Sequence, residues 1–67
     1  MNKEQRYNIH ALYTDEVLMS NLTKEEVEKF IVHEANNLNY GLYRYWERDG
    51  KTFYDCGPLI YVVKVAE

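Results

Sequence analysis

His10, His33 and Cys56 are the side chains of this chain with the chemistry of nucleophiles, general bases or soft-metal ligands. His33-Glu34 opens like the zinc-protease pattern H-E-x-x-H, in which two histidines one helical turn apart hold the metal. Position 37 is asparagine, so the second ligand is missing. The spacing of His10, His33 and Cys56 matches no zinc pattern. A lone cysteine in a tyrosine-rich strand reads as a small buried hydrophobe rather than as the partner of a distant histidine. The single serine, Ser20, and three scattered glycines write neither a serine triad nor a phosphate loop. No catalytic constellation, cofactor or metal site is expected.

The residues that stand out have binding chemistry instead. Between Tyr40 and Tyr54 lie four of the seven tyrosines, the only tryptophan and one of the two phenylalanines, set around Asp49-Gly50. Asp-Gly supplies the positive φ angles of a two-residue type I′ turn, and aromatic residues fit a pleated surface, so the stretch predicts a β-hairpin. Counting back from the turn pairs Arg48 with Lys51, Glu47 with Thr52, Trp46 with Phe53, Tyr45 with Tyr54, and Arg44 with Asp55. One face then holds Leu42, Arg44, Trp46, Arg48, Phe53 and Asp55. The other holds Tyr43, Tyr45, Glu47, Thr52, Tyr54 and Cys56. An Arg44–Asp55 ion pair is costly to bury, whereas tyrosines bury their rings and keep their hydroxyls at a core edge. The tyrosine face is therefore expected under the helix, leaving Leu42, Arg44, Trp46, Arg48 and Phe53 exposed.

The elements that must carry this hairpin are legible along the chain. Tyr7 to Tyr13 alternates with period two, placing Tyr7, Ile9, Ala11 and Tyr13 on one face and Asn8, His10 and Leu12 on the other. After a turn at Thr14-Asp15-Glu16, Val17-Leu18-Met19-Ser20 predicts a second strand with Val17 and Met19 on the Ile9 side. Thr23-Lys24-Glu25-Glu26 is a capping box, flanked by Leu22 and Val27 as a hydrophobic staple. Val27, Phe30, Ile31, Ala35 and Leu38 follow at helical spacing, and Asn36-Asn37 can end the helix. Leu59 to Val65 predicts a final strand with Leu59, Tyr61, Val63 and Val65 inward, and Cys56-Gly57-Pro58 a bulge, bend or short turn before it. These elements predict a single α+β domain over residues 1–67: a small antiparallel sheet of four to five strands in ββαββ order, with one amphipathic helix packed on one face.

At 67 residues the chain removes only about 60% of its unfolded surface from water, so good packing or oligomerisation must contribute. No apolar run approaches the roughly 18 residues of a membrane span. The run Met1-Asn2-Lys3-Glu4-Gln5-Arg6 is polar, with no secretory pattern, and the lone thiol suits a reducing cytoplasm. The net charge is −3, and all of the excess lies in residues 1–37, which hold 4 Lys/Arg and 7 Asp/Glu. That weighs against a nucleic-acid partner, which needs a basic face. Tyr43-Arg44-Tyr45-Trp46 has the residue types on which RNA-recognition motifs stack bases. It lacks their glycine–aromatic order, a second helix and basic surroundings. No family motif covers the chain, and its Lys/Glu/Asn/Tyr-rich composition is like that of small bacterial or phage proteins.

The expectation is a cytoplasmic protein–protein interaction module, an adaptor or inhibitor, with Arg44, Arg48, Tyr43, Tyr45, Trp46 and Phe53 as partner-binding residues. Trp, Tyr and Arg are the types enriched at binding hot spots. The acidic helix can steer a basic partner, and a second copy of the chain is a further candidate partner. The alternative is a binder of single-stranded nucleic acid or a small ligand by stacking on the sheet.

Overall fold

A computed structural model of the chain describes residues 4–66; Met1 to Lys3 of the polar N-terminal run, and Glu67, lie outside the described residues. The order is β1 (Tyr7–Ala11), β2 (Val17–Leu22), α1 (Lys24–Asn39), β3 (Arg44–Arg48), β4 (Lys51–Asp55) and β5 (Ile60–Val65). Three strands follow the helix, so the order is ββαβββ and not the expected ββαββ. Gly57-Pro58 is the cause. It is a two-residue turn, closed by the Cys56 N–H donating to the Leu59 carbonyl at 3.0 Å, and it separates β4 and β5 as two full strands. The five strands form one antiparallel sheet in the order β2-β1-β5-β4-β3.

The helix begins where its sequence says it should. The Thr23 hydroxyl oxygen accepts the Glu26 N–H at 3.2 Å, and the Glu26 carboxylate accepts the Thr23 N–H at 2.8 Å. It runs past Asn36-Asn37 and ends at Tyr40, in the left-handed conformation with φ 56°. Asn37 stays helical, its side-chain amide 3.1 Å from the His33 ring one turn back, and the left-handed cap falls on Tyr40 instead.

Val27, Ile31 and Ala35 form the buried stripe of α1. They pack on Ile9 of β1, Leu22 of β2, and Tyr61 and Val63 of β5, with Cys56 in the same core. Tyr61 fastens the layers together. Its ring meets Phe30 edge-on, centroids 5.4 Å apart, and its hydroxyl donates to the Glu34 carboxylate. A raised pKa follows from burial, reinforced by that carboxylate.

Three inward assignments change. In β2, Met19 faces Ile9 but Val17 faces His10, because register shifts interrupt the β1–β2 ladder. An extra residue in one strand carries the next side chain to the other face. In β5, Tyr61 and Val63 are buried, while Val65, and Leu59 just before the strand, are exposed.

Candidate functional site

Asp49 and Gly50, with φ of 53° and 74°, make the type I′ turn of the β3–β4 hairpin. The ladder then follows the count from that turn: Arg48 opposite Lys51, Glu47 opposite Thr52, Trp46 opposite Phe53, Tyr45 opposite Tyr54, and Arg44 opposite Asp55. The six candidate residues therefore belong to one hairpin but not to one surface. Arg44, Trp46, Arg48 and Phe53 share the sheet face away from α1, the open face. Tyr43 and Tyr45 lie on the helix side.

On the open face the Trp46 and Phe53 rings stack, 5.5 Å between centroids and 3° between planes. Phe53 is half-buried, not exposed as expected, because it lies between Trp46 on β3 and Val62 on β5. The register continues the row to His10 on β1 and Val17 on β2. Val62 is only 5% exposed even though it points away from the helix. Of this row only Trp46 and Phe53 are among the expected partner-binding residues, and the expectation for β5 rests on its inward residues. The outward alternation of Ile60, Val62 and Lys64 was the signal available.

Arg44 donates to Asp55 at 3.1 Å, and Asp55 also accepts the Gly57 N–H at 2.9 Å. The Gly57 bond first, then the Arg44 guanidinium, hold the Asp55 carboxyl below its ordinary pKa. Lys51 and Arg48 face each other nearer the turn. Lys64 bonds Asp15 at 3.2 Å, and the His10 ring lies 3.6 Å from the same carboxylate.

The helix side departs from expectation. Of the tyrosines 43, 45 and 54, only Tyr54 packs against the core, and Tyr45 is 67% exposed, more than Trp46 at 40%. The reason is width. A helix is about 10–12 Å across, while strands lie about 4.8 Å apart. One helix thus covers two or three strands, and α1 is placed over β1, β2 and β5. The hairpin lies beyond it. Between α1 and the hairpin runs a trough of about 640 Å³, lined by residues that include Val27, Glu28, Ile31, Tyr43, Tyr45 and Tyr54. The Tyr54 ring lies 6.0 Å from Tyr43 and 5.8 Å from Tyr45 between centroids. Burial pushes the Tyr54 phenol pKa up, helped by Glu28 and the neighbouring tyrosines.

The chemically versatile residues are dispersed. His10 lies on the open face, His33 on the outer side of α1, and Cys56 is fully buried, its thiol pKa raised by burial and by Glu34 and Asp55. Among the described residues no three His, Cys, Asp or Glu side chains gather as a metal site. No described helix is long and apolar enough to cross a membrane. Comparison with protein-family models, curated proteins and solved structures finds no match to this chain.

Proposed function

We propose that the chain is a small protein-binding module, an adaptor or inhibitor of bacterial or phage type, whose contact element is the β3–β4 hairpin. One observation carries this reading: every residue of β3 is exposed, although the strand carries Tyr45 and Trp46. Aromatic cross-strand pairs stabilise sheets by roughly 0.2–1 kcal/mol, which accounts for Trp46 facing Phe53. It does not account for aromatics left uncovered on both faces of one hairpin. Such side chains, held rigidly by a sheet with an arginine beside them, are what interfaces use as anchors. Helix α1 adds four glutamates against two lysines, a field suited to drawing in a basic partner. The lone buried thiol is compatible with a cytoplasmic setting.

Trp46 is the residue to remove, because Phe53 also fills space beside Val62. Trp46→Ala is expected to keep the wild-type circular dichroism spectrum and to abolish partner capture by the tagged protein, read by mass spectrometry. Undiminished capture of the same partner defeats the reading. A second reading has its own support: the Trp46–Phe53 stack shares the open face with Arg44, Arg48, Lys51 and Lys64, the mixture that holds single-stranded nucleic acid. It ranks second because Asp55 and Asp15 pair two of those cations. Trp46 fluorescence titrated with oligonucleotides at low salt tests it, and an unchanged signal removes it.

A further inference from the structure

The sheet has two edges, β2 and β3, and they are built differently. The β2 edge is interrupted by register shifts. Its Asn21 turns to φ 58° and spends its N–H on the Asn8 side chain at 3.0 Å. Such irregularity disables an edge as a template for another strand. β3 has no such device: its five pairings to β4 run without a shift, and it holds no proline.

The turn fixes which backbone groups β3 presents. In a two-residue hairpin the residues flanking the turn form a hydrogen-bonded pair, and the pattern alternates from there. Arg48, Trp46 and Arg44 therefore direct their N–H and C=O groups to β4. Glu47, Tyr45 and Tyr43 direct theirs to the outer edge.

We propose that this edge pairs with β3 of a second copy of the chain, antiparallel about a two-fold axis through Tyr45, so that two five-stranded sheets become one. It rests on the reading of the hairpin as a contact element and adds what the outer edge contacts. The axis keeps the faces of the two sheets aligned, so only residues of the same face can oppose each other. Charge then selects the register, because like charges directly opposite are destabilising and opposite or cation–aromatic pairs are favourable. Centring on Arg44 sets two arginines face to face. Trp46 as the centre puts Arg44 against the second copy's Arg48, and Glu47 as the centre opposes two glutamates. With Tyr45 at the centre, Arg44 lies against the second copy's Trp46, and Tyr43 against the second copy's Glu47, each twice by symmetry. The outward-directed residues Tyr43, Tyr45 and Glu47 then fall on hydrogen-bonded pairs and satisfy one another's backbone groups. Both helices stay on the same side of the joined sheet.

A single strand edge is a small contact, at the low end of specific interfaces, so association is expected to be weak and concentration-dependent. Sedimentation equilibrium of the purified chain across about 1 µM to 1 mM should show the native mass doubling. Tyr45→Pro removes a donor that serves no bond within the chain, and should remain monomeric throughout that range. Register is read by two cysteine variants under mild oxidation. Hydrogen-bonded antiparallel partners have Cα atoms about 5.5 Å apart, inside disulfide range. Tyr45→Cys should therefore cross-link at least about ten times faster than Trp46→Cys, whose two copies lie diagonally across the axis. Cys56 is fully buried and the wild-type chain is the control. A wild-type monomer at every concentration, a Tyr45→Pro dimer, or faster cross-linking through Trp46→Cys overturns the proposal. If Tyr45→Pro does not fold, the cross-linking ratio decides. A monomeric chain that still loses its partner with Trp46→Ala ends this inference and leaves the protein-binding reading standing.

Discussion

Tyr61 is the residue through which the sheet holds the helix, and its chemistry sets how stability responds to pH. Its ring is 1% exposed, and its hydroxyl donates to Glu34. Burial disfavours the phenolate, and a facing carboxylate disfavours it further, so the folded pKa lies above the unfolded value of 10.0. A raised pKa means the folded state holds its proton more tightly. The contribution is complete below the unfolded pKa and lost as pH rises through the folded one. Tyr61→Phe keeps the ring and removes the hydroxyl. It should cost about 1–2 kcal/mol in urea unfolding at neutral pH, and flatten the loss of stability above about pH 10. An alkaline slope equal to that of the wild type would show that Tyr61 is not its source; a shallower residual slope is assigned to Tyr54 and Cys56, both also raised. On the acid side the signs reverse. Asp15 beside Lys64, Glu26 at the Thr23 N–H and Asp55 at the Gly57 N–H are all held below their ordinary values. Their contribution is present above the unfolded values of 3.8 to 4.5 and is lost as pH falls through the folded ones.

Turns and caps set the elements, and their glycines differ in a testable way. At Gly50 an added Cβ meets nothing within 4 Å, so Gly50→Ala carries only the cost of its positive φ, about 1 kcal/mol. Gly41 has φ 81°, and a Cβ there would lie 2.8 Å from the Asn36 side-chain oxygen. Gly41→Ala should therefore lower the urea midpoint more than Gly50→Ala; an equal loss would mean that the exposed Asn36 side chain turns aside at little cost. Thr23→Ala, which deletes half of the capping box, should cost about 1 kcal/mol by the same measurement. These same local signals explain what was legible beforehand. A capping box, an Asp-Gly turn and a helical stripe are written within a few residues, so the helix start, the hairpin register, the Trp46–Phe53 pair and the Arg44–Asp55 pair were all readable. Val17 and the position of α1 across the sheet were not. Val17 changes face because of a bulge against β1, and the exposure of Tyr45 depends on which strands α1 covers. Neither is encoded in neighbouring residues. The helix ends about one turn beyond Asn36-Asn37, because Tyr40 rather than either asparagine takes the left-handed cap conformation.

At the scale of the molecule, burial is graded across the sheet, from the strands under α1 out to the β3 edge. Ile9, Ile31, Ala35, Cys56 and Tyr61 are essentially inaccessible where α1 covers β1 and β5, while every residue of β3 is exposed. Local opening follows buried apolar contact, so stability should fall in the same direction. Amide hydrogen exchange measured by NMR should give the greatest protection in β5 and β1, intermediate protection for the Arg44, Trp46 and Arg48 amides directed at β4, and little for Tyr45 and Glu47 at the outer edge. Equal protection in β3 and β5 would show that the hairpin opens only with global unfolding, and the graded picture would be wrong. Concentration separates the two ways in which the edge could be protected. Slow exchange at Tyr45 in a dilute sample would mean the strand is shielded within one chain. Slowing that develops only as concentration rises, at Tyr45 and Glu47 but not at Ile9 or Tyr61, is the pattern expected of an edge that pairs with a second copy about Tyr45.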